Sequence, residues 1–392
     1  MAPITSKFNL GILGPDQNQP CGIADYTDRL NRAIAPLCNL SFLSYSKIQA
    51  NPEKLDELKS CDAILVHYER SLMPDKGFLR RLGKRFPDKI FVVPHEVYDR
   101  DPFAFDYAKI QSSFLPLLWI KQGLYHWRHR EYAEEKSLQA HGYWAKAILP
   151  LSDSTAEILR PLAGGKVLSS IPLAFEEFKT AHGAVPRTHL GADHRTDLGT
   201  EPGPILLSKY FSSNVKSVIG VFGFLNPSHD YGLVLNLMEK LPKDVGLLIL
   251  GGNRKRDLDS HEQDRLDASI EKRVSEKKLN ERIKVTGYIE EKLLPEYLSL
   301  CDVFINPMKF KSNSSSLVHL FSLGKAIFVS DLALTRYLKK EGAPLELYSG
   351  LEDLFAKVQR VLQDGVTAEN QYPWTFSRVA AEYLRVVGGG RV

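Results

Sequence analysis

The sequence predicts an α/β protein built from two doubly wound, Rossmann-like domains. Short apolar runs alternate with segments of helical period along nearly the whole chain, the pattern of parallel strands joined by crossover helices. At 392 residues the chain exceeds what one hydrophobic core usually supports. The alternation breaks down over residues 176–203, where Gly, Pro, His and charged residues gather, and this break marks a domain boundary. The expected division is an N-terminal domain over 1–190, a second domain over 204–372, and a C-terminal helix over 373–392.

In the first half, Phe8 to Leu13 reads as a strand leading into the loop GPDQNQPCG and the helical segment IADYTDRLNRAIAPL. Gly14 and Gly22 in that loop let backbone amides approach a ligand where a side chain would obstruct it. Leu40 to Ser44, Ala63 to Val66 and Ile90 to Val93 are further strands, with helices at 52–59 and 76–85. Ligands of open parallel sheets bind at the strand carboxyl ends. There stand His67, Tyr68 and Glu69 after one strand, and Pro94, His95 and Glu96 after the next. His95 has the chemistry to hold a substrate hydroxyl or to take part in proton transfer, or simply to bond backbone at a strand end. Asp99-Arg100-Asp101 is the kind of acidic pair that arises by chance in a charged loop, and no metal site is expected. Residues 114–132, FLPLLWIKQGLYHWRHREY, suit either a packing helix or a peripheral contact with a membrane surface through Lys121, Arg128 and Arg130. Ala147 to Leu151 and Val167 to Pro172 complete the strands of this half, with Ser152-Asp153-Ser154 capping the helix between them.

The second half restarts with the strand Ser217 to Phe222 and continues with the helix LVLNLMEKL, the strand Gly246 to Leu250, and a charged helix over 258–277. The strand Ile283 to Thr286, ending at Gly287-Tyr288, and a helix over 290–300 follow. Next comes the most informative stretch, VFINPMKFKSNSSSLVHLFSLGKAIFVSD, residues 303–331, which reads strand, polar loop, helix, glycine stop, strand. Its loop brings Lys309, Lys311 and the serines Ser314, Ser315 and Ser316 to a helix start. Hydroxyls, free amides and ammonium groups there all favour an anion, so the loop is a candidate phosphate site; capping alone accounts for one serine. Near the end, YPWTFSRVAAEYLRVV places Trp374, Phe376, Val379, Tyr383, Leu384 and Val387 on roughly one helical face.

Composition narrows the class. With 51 basic and 47 acidic residues the formal charge is +4, a balance that does not point to nucleic acid. Cys21, Cys38, Cys61 and Cys301 show neither metal-ligand spacing nor a pairing pattern, as expected of reduced thiols in a cytoplasmic protein. No apolar run is long enough to span a bilayer, and MAPITSKFNL lacks the apolar core of a signal peptide.

Taken together, these stretches resemble the large family of retaining glycosyltransferases of the GT-B fold usually called family four, over nearly the whole chain. CGIADYTDRL is similar to the family's loop-to-helix entry whose glycine amides face the donor diphosphate. HEVYDRDP is similar to the segment carrying the histidine near the reacting sugar, which falls on His95. GFLNPSHDYGLVLNLME, VTGYIEEKLLPEYLSLCDVFINP and LGKAIFVSD resemble successive stretches of the donor-binding domain. The resemblance implies two Rossmann-like domains facing a central cleft, with the C-terminal helix crossing back to the first. It also implies a UDP- or GDP-linked sugar as donor, a glycan or lipid-linked acceptor, and no cofactor or metal.

The chain departs from the family where charge is usually found. Asn226 and His229 stand where the diphosphate loop commonly supplies arginine and lysine, and Lys311 and His319 where a glutamate pair is common. A subset of the family has a serine-rich turn at this helix start. The resemblance therefore assigns the diphosphate to Ser314, Ser315, Ser316, Lys311, Arg254 and Gly22, and the base to the backbone of Gly287 and Tyr288. The missing charges also admit an alternative, a catalytically impaired GT-B module that regulates another transferase.

Overall fold

The computed structural model describes residues 8–17, 21–69, 72–75, 77–95, 97, 144–176, 206–225, 228–252, 260–309, 313–365 and 368–389. They fall into two compact units. The first comprises Met1–Gln19, Ile23–Pro172 and Ser377–Val392; the second comprises Pro20–Gly22 and Leu173–Phe376.

The first unit holds a parallel sheet of β1 (Asn9–Gly14), β2 (Asn39–Ser44), β3 (Ala63–Tyr68), β4 (Ile90–Pro94) and β5 (Ala147–Ile148), in the order β2-β1-β3-β4-β5. Ile64, Leu65 and Val66 of β3 are fully buried. Such unbroken apolar runs arise because helices cover both faces of a parallel sheet. The covering helices include α1 (Gly22–Ile34), α2 (Tyr45–Ala50), α3 (Phe78–Arg85) and α4 (Asp153–Ala163). The strand order reverses between β1 and β3, and at such a switch point two crossovers leave in opposite directions and open a crevice at the strand carboxyl ends.

The second unit holds six parallel strands: β6 (Ser217–Phe222), β7 (Val245–Leu250), β8 (Ile283–Val285), β9 (Val303–Asn306), β10 (Ile327–Ser330) and β11 (Leu345–Tyr348), in the order β11-β10-β9-β6-β7-β8. Counted from β6, this is the 3-2-1-4-5-6 order of dinucleotide-binding domains, with its switch point between β6 and β9. Its helices are α5 (Tyr231–Lys240), α6 (Ser260–Glu276), α7 (Leu294–Ser299), α8 (Ser315–His319), α9 (Ala333–Lys340) and α10 (Leu351–Asp364). The last helix of the chain, α11 (Phe376–Val387), belongs almost entirely to the first unit, and buries Val379, Ala380, Tyr383, Leu384 and Val387.

Local differences from the sequence expectation have local causes. Val167 to Pro172 forms no strand; a single bridge joins Val167 to Ile148, because β5 is only two residues long and offers no further partner. The helix expected over 52–59 is a 3-10 helix, Pro52–Leu58, started by Asn51, whose side chain accepts from the Glu53 amide. The segment 290–300 begins as a 3-10 turn, Glu291–Leu293, and turns α-helical only at Leu294, with Pro295 in its first turn. The helix after the serines also tightens to 3-10 geometry over Leu320–Leu323, and Gly324, at φ 64°, ends it. Residues 114–132 and Asp99 to Asp101 lie outside the described residues. Among those described, no helix is long and apolar enough to cross a membrane.

Candidate functional site

Each unit carries a set of polar groups at its own switch point. In the second unit the loop after β6 and the loop after β9 are laced together. The Asp230 amide donates to the Pro307 carbonyl at 2.6 Å, the Lys309 amide donates to the Ser228 carbonyl at 2.8 Å, and His229 bridges Met308. The following helices are capped from these loops. Asp230 accepts from the Leu233 amide at 3.0 Å, and Ser314 accepts from the Leu317 amide at 3.3 Å. The triple serine therefore divides its work: Ser314 is the cap, and its hydroxyl lies 3.3 Å from that of Ser316.

Ser316 also faces the end of β6, where a Cβ added to Gly223 would lie 3.0 Å from its hydroxyl. Gly22 is grouped with this unit, and a Cβ there would lie 2.6 Å from the Ser315 hydroxyl. Glycine thus lets peptide backbone reach both serine hydroxyls. The result is a nest of amide, hydroxyl and helix-start groups, a chemistry suited to a phosphate.

The neighbouring strand ends continue the same edge. The Gly251 amide donates to Thr286 Oγ1 at 3.2 Å, and a Cβ on Gly252 would meet the Tyr288 amide at 2.8 Å. Gly287 takes φ 73°, with nothing within 4 Å of where a Cβ would stand, and the following Tyr288 is 62% exposed. The Tyr288 ring faces Phe224 with 18° between planes and 6.4 Å between centroids. Phe224 was not foreseen from the sequence; its place directly after Gly223, at the carboxyl end of β6, was the available signal.

Asn306 is not singled out by the sequence. It is 1% exposed, and neither Nδ2 nor Oδ1 has a hydrogen-bond partner. It closes β9 at the switch point, so a buried amide group stands where this topology binds ligands. His229 is buried, with Nδ1 3.3 Å from the Tyr231 hydroxyl. Its ring packs within the two laced loops, where the resemblance would place a cation. His319 is buried edge-on against Phe222, with 6.3 Å between centroids. Arg254, Lys311 and Asn226 lie outside the described residues, and Lys309 is exposed.

In the first unit Gly14 ends β1 against α1; a Cβ there would touch Thr27 at 3.0 Å. The strands β3 and β4 bring two histidines together that are 28 residues apart: His67 Nδ1 and His95 Nε2 are 2.9 Å apart, and both rings are buried. The Tyr45 hydroxyl donates to the His67 carbonyl at 2.7 Å, and the His95 amide donates to the Tyr68 carbonyl at 2.8 Å, so both backbones are fixed. Burial drives the His67 imidazole down to about 3. Burial, then the neighbouring His67, holds His95 well below the ordinary histidine range. Both rings are neutral at physiological pH. Tyr26 packs edge-on against both, and burial beside its hydroxyl holds Tyr383 of α11 well above the usual tyrosine range. Among the described residues no cluster of His, Cys, Asp or Glu is arranged to hold a metal ion.

Known proteins share this architecture. Residues 216–364 match the family model described as glycosyl transferases group 1. Among curated proteins, none matches the chain in sequence. A glycosyltransferase from Rickettsia africae ESF-5 superposes with a TM-score of 0.65 at 12% identity, over 98% of this chain and 98% of that one. Sucrose-phosphate synthase from Thermosynechococcus elongatus gives 0.61 at 14% identity, over 97% and 95%. Alr3699/HepE from Anabaena, solved with UDP and glucose, gives 0.60 at 12% identity, over 97% and 95%. The chain therefore has the GT-B fold of two Rossmann-like α/β domains, and its residues 216–364 carry the glycosyl transferases group 1 pattern.

Proposed function

We propose that this protein is a metal-independent glycosyltransferase that moves a sugar from a UDP- or GDP-sugar to an acceptor hydroxyl with retention of configuration. The acceptor would be a glycan or a lipid-linked sugar, and the setting polysaccharide or glycoconjugate biosynthesis in the cytoplasm. The observation that carries this reading is the approach of the Gly223 backbone to the Ser316 hydroxyl at the β6/β9 switch point, inside the segment matching glycosyl transferases group 1. UDP and glucose bound to the Anabaena neighbour support the same donor class.

In this reading Ser314, Ser315, Ser316, Gly22, Lys311 and Arg254 stabilise the diphosphate as the glycosidic bond breaks and negative charge develops on the leaving group. Asn226 and His229 line the loop beside it. Gly287 and Tyr288 hold the base, with Phe224 beside Tyr288. His95 orients the sugar or handles a proton, and Gly14, like Gly22, serves the nucleotide sugar; residues 1–190 take the acceptor, residues 204–372 take the donor, and 373–392 return to the first domain.

The test is a thermal-shift screen of nucleotide sugars, since a ligand that binds only the native state raises its stability by mass action. A UDP- or GDP-sugar should raise the Tm; no shift with any of them would overturn the assignment. Transfer or hydrolysis of a labelled sugar then separates an enzyme from an impaired module. His95→Ala should lower the rate roughly a hundredfold, EDTA should leave it unchanged, and the product anomer should match that of the donor.

A further inference from the structure

The contact between His67 and His95 determines more than the position of either ring. Two neutral imidazoles 2.9 Å apart share one hydrogen, and each ring has only one N–H, so two arrangements are available. In one, His95 donates from Nε2 and His67 accepts at Nδ1, which puts the proton of His67 on its own Nε2. That atom is fully buried and has no hydrogen-bond partner, so this arrangement strands an N–H. In the other, His67 donates from Nδ1 and leaves only a lone pair at Nε2. Buried N–H groups without an acceptor are rarer in native proteins than acceptors left short of a donor.

We propose that His67 donates its Nδ1–H to His95 Nε2 and so fixes the proton of His95 on Nδ1, which makes His95 a hydrogen-bond donor at that nitrogen. His67 is then a positioning residue. The low proton affinity of both rings supports this, because neither becomes an imidazolium that would erase the distinction. The groups packed against the pair include the Tyr26 ring of α1, which contacts both imidazoles by its edge. An isolated imidazole slightly favours the Nε2–H form, so the Nδ1–H form of His95 must be imposed by its neighbour.

The tautomer does not rest on the transferase function proposed above, and the experiment reads the tautomer itself. The full chain labelled with 15N-histidine is examined by long-range 1H–15N correlation at neutral pH, where a protonated ring nitrogen resonates far upfield of a bare one. The His95 and His67 signals are assigned by their loss in His95→Gln and His67→Phe. The expected result is a protonated Nδ1 and a bare Nε2 on His95. A protonated Nε2 on His95, or one averaged signal for both nitrogens, overturns the proposal, and this wild-type measurement holds even if a variant fails to fold. In folded His67→Phe, His95 should move to the Nε2–H form; if it stays protonated on Nδ1, His67 is not what holds it.

Discussion

Gly251 and Gly223 pass so closely that a Cβ built on Gly251 would stand 2.0 Å from the Gly223 carbonyl oxygen. The two residues end neighbouring strands, and Gly251 sits at φ 148°, where side chains are strained. Neither backbone can yield easily, because the Gly223 amide donates to the Leu250 carbonyl at 3.0 Å and the Gly251 amide is held by Thr286. Gly251→Ala should therefore cost about 3 kcal/mol or more, from backbone strain together with overpacking. Urea denaturation reads this directly, and a midpoint equal to that of the wild type would contradict the close approach.

Asn306 invites the opposite test. A buried amide without protein partners costs stability by about 1–3 kcal/mol, and an apolar side chain of similar shape removes that cost. Asn306→Leu should leave the urea midpoint unchanged or raise it, while UDP-sugar affinity falls tenfold or more. A variant that loses stability but keeps its affinity would assign Asn306 to the core instead.

How far the sequence revealed this molecule follows from where the information lies. The alternation of apolar run and helical period marked most of the strands from β1 to β10, because parallel strands buried on both faces cannot contain polar residues for long. The chain between Asp331 and Tyr372 carried no such expectation. Its strand β11 is a four-residue edge strand with Glu346 exposed in its middle, and so lacks an unbroken apolar run. Ser314 to Ser316 and Gly287 in the second unit, and His95 in the first, were recognisable by residue type and by their place after strands. The partnership of His67 with His95 was not, because it is made by the parallel register of β3 and β4, which pairs His67 with Val93 and Tyr68 with Pro94. Nor was the vicinity of Phe224 to Tyr288, whose residues lie on loops two crossovers apart.

The thiols give a separate check on packing. Cys21, Cys38, Cys61 and Cys301 are all buried and in no disulfide, and burial pushes Cys38 up to about 11 and Cys301 up to about 12. Since the thiolate is the reactive form, burial opposes modification of all four, and the raised proton affinity of Cys38, Cys61 and Cys301 opposes it further. A thiol-reactive chromophore should label none of the four within minutes in the folded protein, and all four in urea. Rapid labelling of Cys301 in the native state would mean that the packing beneath β6 and β9 opens readily.

The histidine pair makes stability depend on pH with a definite sign. His67 takes up protons near 6.5 when unfolded but only at about 3 when folded, so the unfolded state binds more protons between these values. The stability contributed by neutral burial is complete above the unfolded value and declines as pH falls toward the folded one. At pH 5 the loss from His67 alone is about 2 kcal/mol. Comparing urea midpoints at pH 7 and pH 5 reads it, because burial, the larger cause of the depression of His95, acts in wild type and in His67→Phe alike. The wild type should lose about 2 kcal/mol more than the variant over that interval. Equal losses would mean that the His67 ring takes up its proton in the folded protein as readily as in the unfolded chain, which a fully buried imidazole cannot do.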